Sequence, residues 1–159
     1  MTMRTSRFPG YLSAALLSLG VGPAQGATTL FEELGGRARL QATMDEFVNI
    51  IEADERINFT FANTDLKKFE QLLFDQICAL THGPCTYKGR NMYDAHVKLN
   101  INNAQFNALA EDLYLAFDHV HVPYRVQNKV VALLAPMQRD VVKPGFIPPG
   151  TEPAPRNVR

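Results

Sequence analysis

The 159-residue chain contains no tryptophan, only two cysteines and only four histidines. Two cysteines are too few for a disulfide framework, and no HExxH or Cys/His cluster of zinc spacing is present to hold a metal on protein ligands alone. Sixteen basic residues balance sixteen acidic ones, so no net charge draws the chain to nucleic acid or to acidic membranes. No apolar run reaches the roughly 20 residues of a spanning helix, so a stable membrane anchor of that kind is not expected. GxGxxG after a strand, GxxxxGK[ST] and GxSxG are all missing, so phosphate cradles and hydrolase elbows have no support. CxxC and CxxCH are missing too. Cys78 and Cys85 stand seven residues apart. In an exported protein they could close one local disulfide, and equally they could stay two reduced thiols packed as small hydrophobes.

What is present divides the chain into three. Residues 1–26 combine Arg4 and Arg7, an apolar stretch from Tyr11 to Gly22, and the small residues around Ala24, Gly26 and Ala27. This pattern predicts a signal peptide cut near Gly26, hence an exported, periplasmic protein. Residues 143–159 hold Pro144, Pro148, Pro149, Pro153 and Pro155 and read as an extended, disordered tail. The folded unit is therefore expected over 27–142.

That middle region carries helix periodicity. No proline lies between Ala27 and Gly83, and Leu40, Met44, Phe47, Val48 and Ile51 recur at three and four spacing. Leu66, Phe69, Leu72, Leu73, Gln76, Ile77 and Leu80 repeat the pattern, with Thr64 or Asp65 as an N-cap. A third run follows Asn102 or Asn103 and includes Phe106, Leu109, Leu113, Phe117 and Val120. A fourth starts at Pro123 and should bend or end at Pro136, which lacks a backbone donor. Strand signals are weak, so the class is all-α with four substantial helices and some short ones. Gly35-Gly36 breaks a short opening segment from the first long helix, and residues 82–90 read as loop. Lys67-Lys68 and Glu111-Asp112 read as solvated helix faces.

One residue stands out chemically. His96 sits in the short segment Met92 to Leu99 between apolar neighbours, and any metal it held would take its remaining ligands from a cofactor. Taken alone, such a histidine is more often a hydrogen-bonded structural residue. Phe47, Phe59, Phe61, Phe69 and Phe74 fall within one third of the chain, as a core does, or the lining of a pocket for a flat apolar cofactor.

The order of motifs resembles group I of the truncated haemoglobin family. It is carried by Leu30-Phe31-Glu32-Glu33-Leu34-Gly35-Gly36, Phe59-Thr60-Phe61, His82-Gly83-Pro84, Tyr87-Lys88-Gly89-Arg90-Asn91-Met92, Ala95-His96-Val97-Lys98-Leu99 and Leu134-Ala135-Pro136-Met137. The family has Gly-Gly-Pro where this chain has His82-Gly83-Pro84. The resemblance implies a truncated globin two-over-two helical sandwich around noncovalent haem b, with His96 as the proximal ligand to its iron. It places Phe61 on the haem face, Tyr87, Met92 and Leu99 on the proximal wall, and Arg90 or Lys88 near a propionate. On the distal side the family's tyrosine position, after Phe47, is Val48, and its polar helix positions fall on Phe69, Leu72 and Leu73. The distal pocket is therefore expected to be apolar. Gln71 and Gln76 are the nearest polar side chains, with Gln76 expected to reach the pocket only if the helix is rotated from this register.

The implied function is reversible binding of dioxygen, nitric oxide or carbon monoxide, making the chain a gas binder rather than an enzyme. The alternative is a haem enzyme, a nitric oxide dioxygenase or peroxidase-like catalyst, which needs a reductase partner that export would remove. A haem-free helical interaction module is disfavoured by the retained histidine. His119 and His121 are expected at the surface, with six-coordination by one of them as the other option.

Overall fold

A computed structural model of the chain describes residues 27–142. The expected signal segment, 1–26, and the expected tail, 143–159, lie outside the described residues. Seven α-helices follow in order: α1 (Leu30–Glu33), α2 (Gly36–Ala53), α3 (Leu66–Leu80), α4 (Met92–His96), α5 (Asn103–His119), α6 (Tyr124–Leu134) and α7 (Gln138–Val141). Short 3-10 turns cover Asn58–Phe61 and Ala135–Met137. Among the described residues there is no strand.

Local chemistry sets the boundaries. Thr29 and Glu32 form a reciprocal capping box at α1, and Gly35 and Gly36, both at positive φ, turn the chain sharply into α2. Asp65 caps α3 by accepting from the Lys68 amide at 3.0 Å. Asn102 and Gln105 form a second capping box at α5. Pro123 is the N-cap of α6, and that helix gives way to a 3-10 turn at Pro136, as the missing donor requires.

The core is built on α2. Leu40, Met44, Phe47 and Ile51 fall on one stripe and are all buried. They meet Phe74, Ile77 and Cys78 of α3 and Ala108, Leu113, Ala116 and Phe117 of α5, while Val126 and Val130 close the cluster from α6. The result is two helical pairs, α2 with α3 and α5 with α6, with α2 also packed along α5. The Phe31 amide donates to the Thr81 carbonyl at 2.9 Å, fastening α1 to the end of α3.

Two expectations are corrected. Asp112 is buried, not solvated, because it lies on the same α5 stripe as Ala108 and Ala116 and has only 1% of its side chain exposed. Phe59 is 60% exposed and belongs neither to the core nor to a pocket lining.

Candidate functional site

α3 presents two faces about a third of a turn apart. Phe74, Ile77 and Cys78 enter the core. Phe69, Leu73 and Gln76, spaced i, i+4 and i+7, share the other stripe. Phe69 and Leu73 on this stripe pack against the core, and Gln76 reaches α4: its Nε2 lies 3.6 Å from the Met92 Sδ, and equally 3.6 Å from the Met137 Sδ at the end of the chain's last long helical run. α4 in turn packs against α7.

The short α4 is held by its flanking loop. Asn91 caps it, accepting from the Asp94 amide at 2.7 Å while its own side-chain amide donates to the Asp94 carboxylate. Arg90 donates to the Asp94 carbonyl at 3.1 Å, and the Tyr87 hydroxyl donates to the Arg90 carbonyl at 2.7 Å. Burial raises the Tyr87 hydroxyl pKa above its usual value, against a smaller opposing pull from Arg90, so the phenol stays protonated and keeps donating. A Cβ at Gly89 would collide with the Tyr87 ring. Upstream, Cys85 is disulfide-bonded to Cys78, which settles the open pairing. Gly83 lies so close to the Cys78 sulfur and the Phe31 ring that a Cβ there would stand 2.7 Å from both.

His96 is the last residue of α4 and is half-buried. Its Nδ1 lies 2.7 Å from the Met92 carbonyl. A carbonyl only accepts, so Nδ1 donates, and in the neutral ring the lone pair is on Nε2. A metal-binding histidine is commonly oriented in this way, its second nitrogen donating to the backbone.

The remaining expected residues divide by position. Phe61 and Phe69 are half-buried and meet edge to face at 5.2 Å. Val48 and Leu73 are half-buried, and Phe47 lies in the core beside Val48. Phe61 also borders a recess of about 280 Å³ with Ile51, Asn58 and Leu66, which does not include His96. Met92 faces Gln76, Tyr87 braces the loop, and Leu99 stands 51% exposed just beyond α4. Lys88 and Arg90 are exposed. His119 pairs with Glu46 at 2.6 Å on the exterior, and the exposed His121 accepts from Arg39 through its carbonyl. Both thus lie with α2 partners away from α4.

Gln76, expected as one of the nearest polar side chains, lies on the α3 stripe with Phe69 and Leu73 and is buried.

The residues on these two walls fit a flat apolar group with a metal at its centre. One wall offers a histidine with a free Nε2, the other an aromatic and aliphatic stripe. The Gln76 amide meets α4 through the Met92 thioether, a flexible group that gives way easily.

Known proteins resemble this chain over most of its described residues. The family model described as bacterial-like globin matches residues 29–143. A group 1 truncated hemoglobin of Tetrahymena pyriformis is 32% identical over 114 residues, covering 72% of this chain and 94% of the relative. GlbN of Synechocystis, another group 1 truncated hemoglobin, is 34% identical over 124 residues, covering 72% and 98%. The crystal structure of the Tetrahymena pyriformis protein in its Fe(III) form superposes with a TM-score of 0.70 at 31% identity, covering 73% of this chain and 99% of that one. The 2/2 hemoglobin of a Synechococcus, solved in the cyanomet state with covalently attached heme, gives 0.68 at 30% identity, covering 72% and 98%.

Proposed function

The chain belongs to the bacterial-like globin family as a group 1 truncated haemoglobin that takes haem with its iron, and from that premise we propose that His96 ligates the iron and that the protein reversibly binds a diatomic gas. Haem, when bound, supplies an iron with one coordination position left for a gas such as dioxygen, nitric oxide or carbon monoxide. The observation that carries the reading is the 2.7 Å bond from His96 Nδ1 to the Met92 carbonyl. It fixes the ring and its tautomer before any ligand arrives, so little ordering remains to be done on binding. The Tyr87, Arg90 and Asp94 contacts hold the helix that bears it. The sequence has no CxxCH, so attachment through a pair of cysteines in that motif is ruled out.

Val48 on α2 and Phe69 and Leu73 on α3 are apolar and half-buried, and offer no hydroxyl or amide at the positions where the resemblance expects them. Such a wall favours fast release of dioxygen. Export to the periplasm, with residues 1–26 as the leader, forms part of the same proposal; the Cys78–Cys85 disulfide supports it, since such bonds persist in oxidising compartments.

The test is the absorption spectrum of the haem-supplemented protein in ferric, ferrous and carbonmonoxy forms, beside His96→Ala. A sharp Soret band that moves with redox state and carbon monoxide, and is lost or made labile by His96→Ala, is expected. Free-haem spectra from both proteins would overturn the proposal.

A further inference from the structure

We infer that Gln76 is the hydrogen-bond donor of this chain's gas pocket, its side-chain amide serving the face opposite His96 in place of the polar residues missing at Val48, Phe69 and Leu73. The inference rests on the haem reading above and adds a residue that determines how tightly the gas is held.

Gln76 is only 8% exposed. Its Nε2 has two partners, the sulfurs of Met92 and Met137, each at 3.6 Å. Thioether sulfur is a weak acceptor, so a buried amide with only these partners retains most of its donor capacity. The other glutamines near α3 are committed elsewhere: Gln71 is exposed and donates to Asp75 at 3.2 Å, and Gln41 donates to Asp45 and Glu70. Gln76 is therefore the side chain on the Phe69 and Leu73 stripe with a donor to spare.

Its position is equally specific. Gln76 on α3 and His96 on α4 share one neighbour, Met92, whose sulfur meets the amide and whose carbonyl holds the imidazole. A group inserted between the walls parts Gln76 from Met92. The amide then needs a new acceptor, and a gas drawing electron density from iron supplies a better one than sulfur.

The experiment compares the haem-loaded chain with Gln76→Met and Gln71→Met, reading the infrared C–O stretch of the carbon monoxide complex and the dioxygen dissociation rate. Methionine keeps the length and apolar stem of Gln76 and removes its donor. Gln76→Met is expected to raise the stretching frequency and to speed dioxygen loss about tenfold or more, the worth of a hydrogen bond to a charge-bearing acceptor. Gln71→Met is expected to change neither. Should Gln76→Met not fold, Gln76→Leu carries the same comparison. A stretch and an off-rate indifferent to losing the Gln76 amide overturn this inference alone. If the unsubstituted chain gives no carbon monoxide-shifted Soret band, the gas-binding reading falls and this inference with it.

Discussion

Cys78, fully buried on α3, is bonded to Cys85, so the end of one wall of the candidate site is clamped to the loop that leads into the other. The bond closes a short loop, and in the chain-entropy account such a crosslink stabilises by about 2.5 kcal/mol. Reduction with dithiothreitol should lower the urea midpoint of the chain by a corresponding amount. Cys85→Ser should start at the lower midpoint and not respond to the reductant. Coincident midpoints for oxidised and reduced chain would show that the clamp leaves stability unchanged.

Asp112 is held between Arg56, 3.5 Å from one of its carboxylate oxygens, and the core. The other oxygen, Oδ2, is buried without a hydrogen-bond partner among the described residues. Burial, then the nearby charge of Asp54, pushes its pKa up to about 6, while hydrogen bonds from Arg56 hold Asp54 below its usual range. The folded-state value of Asp112 lies above the unfolded 3.8. Its contribution is thus present in acid and lost as pH rises from about 4 through 6, on the order of 2 to 3 kcal/mol in all. Asp112→Asn should remove that decline and leave the protein more stable than the parent at pH 7. Thermal unfolding of both proteins from pH 4 to pH 7.5 checks it, and parallel curves would contradict the assignment.

Much of this was legible in the sequence for a physical reason: each long helix buries a continuous stripe, and stripes such as Leu40, Met44, Phe47 and Ile51 declare their period. Caps were legible where a side chain does the capping, as at Asp65 and Asn102. Asp112 was misjudged because Glu111 beside it is exposed, and residue type was weighed above its i+4 spacing from Ala108 and Ala116. Arg56, its partner, is distant in sequence and gave no local cue. The cysteine pairing depended on how the end of α3 turns back, and the His96 tautomer on a single backbone carbonyl. Spacing encodes neither.

The turn after α3 explains one departure from the family pattern. His82 has φ 63, with its amide donating to the Ala79 carbonyl at 3.2 Å and the Gly83 amide to the Cys78 carbonyl at 2.7 Å. This is a Schellman ending with a histidine at the left-handed position where glycine is favoured. A non-glycine residue there costs about 1 to 2 kcal/mol, and part of that is offset because glycine is freer in the unfolded chain. His82→Gly should therefore stabilise by about 0.5 to 1 kcal/mol, read as a rise in urea midpoint at unchanged slope. His82 is exposed, and no packing is lost with it.

The apolar wall makes the strongest claim on gas chemistry. Val48 follows the core residue Phe47 on α2 and is half-buried, and Leu73 lies on the α3 stripe with Phe69 and Gln76. Each stands where the family resemblance expects a donor, so Val48→Tyr and Leu73→Gln each restore one. A hydrogen bond to a charge-bearing acceptor is worth about 1.5 to 3 kcal/mol, or roughly ten- to a hundredfold in affinity. Both substitutions should slow dioxygen dissociation within that range, measured by stopped-flow displacement with carbon monoxide. Association should change less, because most affinity differences among variants of one site lie in the off-rate. If both leave the off-rate unchanged, Val48 and Leu73 do not face the gas and the distal assignment is wrong. If only Leu73→Gln acts, the gas lies nearer α3 than α2, on the side where Gln76 already stands.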